Sequence, residues 1–369
     1  MALNQLLTYI GNQLQLITAI ASSLGAGDSG KIVATNSAGK IDNTFLSFAP
    51  ESLVVTSTAS GAIALSATTS SVVVRGTAEF FAISFPDATT LPIGKIITVL
   101  SDNTEIVVVQ NGANTDIARL EPYNEIRFTL VDNTTDQGVW VQKISRPDNS
   151  KMLEQIEDWL GFSTAGQDSW STAQNGAGAS ATLSLANVNR VGSVFMTTGS
   201  TATGIVTMWK NSTGGGIIFG SNKLFVHETS LAIQNLSTAT ERFRLQFGYL
   251  DQSAGVVVQD GVYFEYDEAV SGNFWRLVCS SNSIRTTIVT TVPVTQGAEN
   301  WRKYRTEVNR SGTRADFFIG GVFVGSIDTN IPVASGRNTG LAYRLAKLVG
   351  SNIRPVFLDD SVHRIYINK

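Results

Sequence analysis

Short runs of alternating or wholly apolar residues, set off by turn residues, fill most of this chain, and that period of two restricts it to stacked β-sheets. Between Ser52 and Arg146 the runs include Leu53-Val54-Val55, Ser71 to Val74, Phe80 to Phe85, Lys95 to Leu100, Glu105 to Val109, Glu125 to Val131 and Val139-Trp140-Val141. Strands at roughly ten-residue spacing predict a small β-sandwich or barrel over 51–146. From Ala181 onward come Ser193 to Thr197, Ile205 to Trp209, Arg242 to Leu250, Gly261 to Tyr266, Phe274 to Cys279, Ile284 to Thr290, Arg302 to Asn309, Ala315 to Ile319 and His363 to Asn368. They predict one large sandwich over 166–369. Asn309 to Thr313 and Ile319 to Val322 are turn sequences joining three consecutive strands, so this part reads as an antiparallel meander.

Two segments depart from that period. The first 27 residues carry no charge, and Leu3, Leu7, Ile10, Leu14, Ile17 and Ala21 follow at heptad spacing. That seam predicts a short helix, and Leu at a with Ile at d favours three or four strands of coiled coil. An isolated helix of this length is marginal in water, so sister copies of the chain are the expected partner, making 1–50 an anchor and trimerisation region. Within it, Lys31 to Thr35 and Lys40 to Asp42 flank Asn36-Ser37-Ala38-Gly39 as a short hairpin. The second segment, 147–165, begins at Pro147 and reads as a helical linker: Asn149 or Ser150 caps it, Met152, Ile156, Trp159 and Leu160 form its apolar face, and Gly161 ends it.

Composition narrows the function. Charged residues are 15% of the chain, well under the usual quarter, and the net charge is −3. No Lys/Arg run offers itself to nucleic acid, and Asn4, Gln5, Asn12, Gln13 and Gln15 interrupt the only stretch resembling a membrane segment. Cys279 is the sole cysteine and reads as a small buried residue; with it and two histidines, His227 and His363, a Cys/His zinc site is not expected. Asp359-Asp360 reads as an exposed turn, because adjacent carboxylates on a strand diverge. Gly214-Gly215-Gly216 lacks the Lys-Ser/Thr of a phosphate loop and reads as a tight turn. No metal, cofactor or catalytic residue is assigned.

Three stretches resemble parts of bacteriophage virion proteins. Trp301 to Asn309, then Gly312-Thr313, Phe317 to Val324 and Asn330-Ile331-Pro332, are similar to a passage of concanavalin A-like (laminin-G-like) jelly rolls in phage structural proteins. Phe85 to Gly94, Phe128 to Asn133 and Gly138-Val139-Trp140 resemble small β domains of phage fibres. Gly30 to Pro50 is similar to connectors near the N-termini of such proteins. The resemblance implies a homotrimeric virion-surface protein, attached to other virion proteins through its N-terminal region, with a lectin-like C-terminal domain for host glycan. Two alternatives stand beside it: a capsid decoration protein and, less favoured, a jelly-roll glycan-degrading enzyme.

The enzyme reading has a specific test. Hydrolases of that type place Glu-x-Asp-x-Glu on one strand; here Glu265 and Asp267 have the spacing, but Ala269 stands where the second glutamate belongs, and Glu268 points to the opposite face. The chain is therefore expected not to be an enzyme. Sugar binding asks for an aromatic platform beside planar hydrogen-bonding groups. Trp170, Trp209 with Asn211, and Tyr249 with Asp251 are the candidates, each at a strand edge or in a loop.

Overall fold

The computed structural model describes residues 5–10, 13–20, 32–33, 51–79, 81–145, 151–159, 170–184, 190, 192–210, 216–251 and 258–367. The chain divides into two units, Met1–Ser145 and Arg146–Lys369.

The N-terminal residues form strands rather than the expected helix. β1 (Gln5–Ile10) and β2 (Gln13–Ile20) pair antiparallel with Ile10 opposite Gln13, and β2 pairs in parallel with β3 (Ile32–Val33). Gly11-Asn12 stands between the strands, a dipeptide suited to a two-residue hairpin loop. The same glycine costs a helix about 1 kcal/mol relative to alanine. Thr8, Ile10, Ile17, Thr18 and Ile20 add β-branched preference. Leu7, Ile10, Leu14 and Ile17 thus lie on strands, and the heptad seam is overturned; Leu3 and the hairpin turn at 36–39 lie outside the described residues.

The rest of this unit is two stacked sheets. β4 (Glu51–Ser57), β5 (Gly61–Ala64), β6 (Thr69–Gly76), β7 (Phe81–Ser84), β8 (Ile96–Asn103) and β9 (Val107–Gln110) alternate between them. The even-numbered strands pair in parallel in one sheet and the odd-numbered strands in parallel in the other. β10 (Asp116–Leu120) then adds antiparallel to β9, while β11 (Glu125–Asp132) and β12 (Val139–Ser145) extend the even-numbered sheet. Val72, Val74, Ile97, Val99 and Phe128 meet Phe81, Ile83, Val107 and Val109 in the core. Phe85 packs edge-on to Phe128 and Trp140, at 4.9 and 4.7 Å between ring centroids.

The C-terminal unit is a larger sandwich. One sheet holds β13 (Met152–Glu157), β15 (Ala179–Ser184), β16 (Ser193–Thr198), β18 (Lys223–Ile233), β23 (Arg302–Val308), β24 (Ala315–Ile319), β25 (Val322–Ile327) and β27 (Pro355–Ile367). The other holds β14 (Ser171–Asn175), β17 (Ile205–Lys210), β19 (Arg242–Leu250), β20 (Gly261–Asp267), β21 (Phe274–Ser281), β22 (Ile284–Pro293) and β26 (Gly340–Val349). β23, β24 and β25 form the expected meander.

Where the linker helix was expected, Met152–Glu157 form β13 instead; 147–150 and 160–165, with the caps at Asn149 or Ser150, Leu160 and Gly161, lie outside the described residues. β27 is 13 residues long, and β16 occupies its edge only from Pro355 to Leu358. The remaining edge, Ser361 to Tyr366, presents unpaired backbone groups, and Glu157 to Met152 takes them up antiparallel. Satisfying that edge outweighs local helix preference.

Alternation fills the core. Phe243, Leu245, Phe247 and Tyr249 of β19, Val262, Phe264 and Tyr266 of β20, and Trp275, Leu277 and Cys279 of β21 all face inward. Trp275, Tyr304, Phe247 and Phe264 pack ring against ring, with Trp275 and Tyr304 at 5.0 Å. Toward one end the interior turns polar. His227 and His363 are direct cross-strand partners, both buried, each edge-on to Tyr249 at 5.8 and 5.6 Å. His227 Nε2 lies 3.2 Å from Ser361 Oγ, and the Tyr343 hydroxyl donates to Thr229 Oγ1 at 2.8 Å.

Burial lowers the pKa of both imidazoles, to about 4 for His227, where Glu228 opposes the shift, and to about 3 for His363, where His227 and Lys210 add to it. Below the ordinary value of 6.5 the unfolded chain takes up protons that the folded chain refuses. Stability from these two groups is therefore full above pH 6.5 and lost as pH falls toward 4 and 3. Thermal melts should show the midpoint dropping across that window, with a shallower drop in His363→Asn. Parallel curves for the two proteins contradict the assignment.

Candidate functional site

The outward face of the seven-stranded sheet gathers the candidate chemistry, and register alone places it. Thr207, Arg344, Gln246, Glu265 and Arg276 stand opposite one another across β17, β26, β19, β20 and β21. Glu265, fully buried, accepts from Gln246 Nε2 at 2.7 Å and Arg285 Nη2 at 2.9 Å, and pairs with Arg276 Nη1 at 3.1 Å. One rung along, Arg244 donates from Nε and Nη2 to Asp267 Oδ2 at 2.9 and 2.7 Å. The Arg285 guanidinium lies over the Tyr263 ring, 5.8 Å from its centroid. The two carboxylates with hydrolase spacing are thus each engaged by guanidinium groups. Such pairs gain little net stability over apolar replacements, but removing one partner strands a buried charge at about 3–5 kcal/mol.

The neighbouring rung is apolar. Trp209 rests against a cluster of Leu250, Val258, Tyr263, Val278 and Ala342. Gly248 lies between Ala342 and Tyr263 with φ +134°, and a Cβ there would sit 2.8 Å from the Val262 carbonyl oxygen. Beyond it, Asp251 accepts from the Gln259 backbone N–H, at 3.3 Å to Oδ1 and 3.2 Å to Oδ2, and Asp260 accepts from Asn282 N–H at 2.8 Å. Burial, reinforced by Asp260, raises the Asp251 carboxyl to about 6 against the pull of the Gln259 N–H.

The sugar-platform candidates separate. Trp209 and Asp251 are half-buried at the same end of this face. Tyr249 is fully buried on the opposite, inward face of β19, and Trp170 is 4% exposed beneath Trp159 and Tyr343, at 5.1 and 5.6 Å. Neither has surface to offer a ligand. Tyr249 shares parity with Phe243, Leu245 and Phe247, a signal in the sequence that places it in the core. Asn211 lies outside the described residues. The ion-pair partners of Glu265 carried no such signal, because they lie on two other strands, β21 and β22.

Elsewhere Asp359 is tied to Arg190, whose guanidinium also lies 5.2 Å from the Trp301 ring centroid. No cluster of three or more His, Cys, Asp or Glu with metal-binding geometry occurs among the described residues. Glu228 lies on the outer face of the other sheet. Its burial opposes ionisation, but Arg305, Arg364 and Lys303 together hold its carboxyl well below the usual range.

Gly248→Ala should destabilise the C-terminal unit by about 1–3 kcal/mol through backbone strain and collision with the β20 backbone. Urea unfolding measures it, and an unchanged midpoint contradicts the close approach.

Residues 189–359 match the family model of the SO2946-like C-terminal domain. No curated protein matches the sequence. Among solved structures, the chain is similar to the protein of unknown function SO2946 from Shewanella oneidensis MR-1 at 10% identity, covering 58% of this chain and 87% of that one, with a TM-score of 0.43. It is similar also to the endo-1,3-β-glucanase from Streptomyces sioyaensis, at 12% identity over 61% of this chain and 100% of the other, TM-score 0.41. A third is the Emp47p carbohydrate recognition domain, at 11% identity over 60% and 99%, TM-score 0.40.

Proposed function

We propose that the protein is a non-catalytic attachment protein of a virion surface, homotrimeric through its N-terminal region, whose C-terminal sandwich contacts a host glycan. The observation that carries the non-catalytic reading is the engagement of Glu265 and Asp267 by Arg276, Arg285 and Arg244. An acid/base catalyst needs a carboxyl group open to the substrate oxygen; these two face guanidinium groups instead. The ordered resemblances along the chain support the virion placement. Self-association draws support from the sheet of β1, β2 and β3, whose strands are rich in Leu and Ile and carry no charge except at β3's flanks. Three strands are near the lower limit for a stable sheet and need a buried apolar face; sister copies and other virion proteins supply it. Weak sugar contacts at Trp209 and Asp251 then gain strength from three linked copies.

Incubation with host surface polysaccharide should release no reducing ends, while a glycan array retains the protein and Trp209→Ala weakens that binding about fivefold. Mass photometry should give three times the 39.5 kDa chain. Reducing ends that vanish with Glu265→Gln contradict the non-catalytic reading, and a monomer at micromolar concentration contradicts the trimer.

A further inference from the structure

We infer that the outward face of the seven-stranded sheet carries a site for an acidic sugar, on the β21–β22 side, where Arg244 and Arg285 meet its carboxylate and Phe274 supports its ring. Trp209, on β17, lies toward the other side of the same sheet. The inference rests on the reading of this face as a glycan contact and names the class of glycan.

The charges on these rungs do not balance. Three guanidinium groups, those of Arg244, Arg276 and Arg285, share two carboxylates, Asp267 and Glu265, which leaves one positive charge over. The cations also lie uppermost. The Arg244 and Arg285 side chains are 23% and 26% exposed, whereas those of Asp267 and Glu265 are 2% and 1% exposed. A ligand arriving here meets guanidinium N–H groups rather than carboxylate oxygens. Each guanidinium has five N–H donors. Arg244 commits Nε and Nη2 to Asp267, and Arg285 commits Nη2 to Glu265. Nη1 of both makes no bond to a described residue and is not buried.

An aromatic surface stands beside them. Trp275, Leu277 and Cys279 of β21 point into the core, so Phe274 and Arg276 point outward. Phe274 is 41% exposed, and Val289, the cross-strand partner of Arg276, is exposed too. Glu265 and Asp267 are two residues apart on β20, about 7 Å along the strand. The guanidinium groups anchored on them are therefore neighbours. An open ring next to paired guanidinium groups suits a hexuronate: its C–H face stacks on the ring, and its planar carboxylate fits the guanidinium fork. A neutral sugar uses the ring alone and leaves the surplus charge unmatched.

Electrophoresis of the whole protein through polygalacturonate should retard it. The fully methyl-esterified polymer, the same sugar without the charge, should bind about tenfold more weakly. Raising NaCl from about 20 to about 200 mM should remove most of that preference. Arg285→Gln should weaken polygalacturonate binding about tenfold and leave binding of the ester unchanged. Phe274→Ala should weaken polygalacturonate binding about fivefold. Thermal melts identify a variant that does not fold, and the acid, ester and salt comparison on the unaltered protein stands without either variant. No retardation by polygalacturonate, equal binding of acid and ester, or binding undiminished in a folded Arg285→Gln overturns the acidic-sugar site. A glycan array that retains nothing overturns the broader glycan reading beneath it.

Discussion

Along β20 the period of two sends Val262, Phe264 and Tyr266 into an aromatic core and Tyr263, Glu265 and Asp267 onto the opposite face. The register of β19, β20, β21 and β26 fixes both faces at once. It brings Phe247 against Phe264 and Trp275 inside, and Gln246 and Arg276 against Glu265 outside. A slip of one residue exchanges the faces, placing charges in the core and rings in water. The aromatic packing and the ion-pair ladder are thus one constraint seen from two sides, and the functional reading inherits it. The proposed non-catalytic role rests on these carboxylates serving as cross-strand ties.

The same logic runs in the other sheet, where Glu228 is clasped by Arg305, Arg364 and Lys303 on the outer surface. Between the sheets it changes character: His227, His363, Thr229 and Ser361 occupy positions that strand parity reserves for apolar side chains. Thr229 and His227 find partners there, whereas His363 Nε2 does not. Polar groups placed inside a sandwich lower stability unless they are satisfied.

Strands were legible where alternation was strong. Phe274 to Cys279 separates into Trp275, Leu277 and Cys279 against Arg276 and Val278, and the fold keeps that division. Pairing was less legible, because alternation specifies faces and not neighbours. The short connection Thr58-Ala59-Ser60 looks like a hairpin turn, yet β4 and β5 belong to different sheets and stack in parallel on β6 and β7. The N-terminal helix expectation failed through dense Leu and Ile, which satisfy several periods at once. At the N-terminus Gly11-Asn12 carried the contrary signal; at 152–157 the deciding influence was the open edge of β27, some 200 residues away. Of the candidate site, the spacing of Glu265 and Asp267 was visible in sequence, but their guanidinium partners became visible only once the sheet was assembled. Trp170 looked like a loop aromatic because Tyr343, the ring it packs on, is equally remote.

The tie between Glu265 and Arg276 is tested most directly by a double-mutant cycle, with Glu265→Ala, Arg276→Ala and both together compared by urea unfolding. Cross-strand bonding of this buried pair predicts that the double variant loses less stability than the two single variants summed, by about 1–3 kcal/mol. Strict additivity contradicts it, and with it the view that this face is fastened from within.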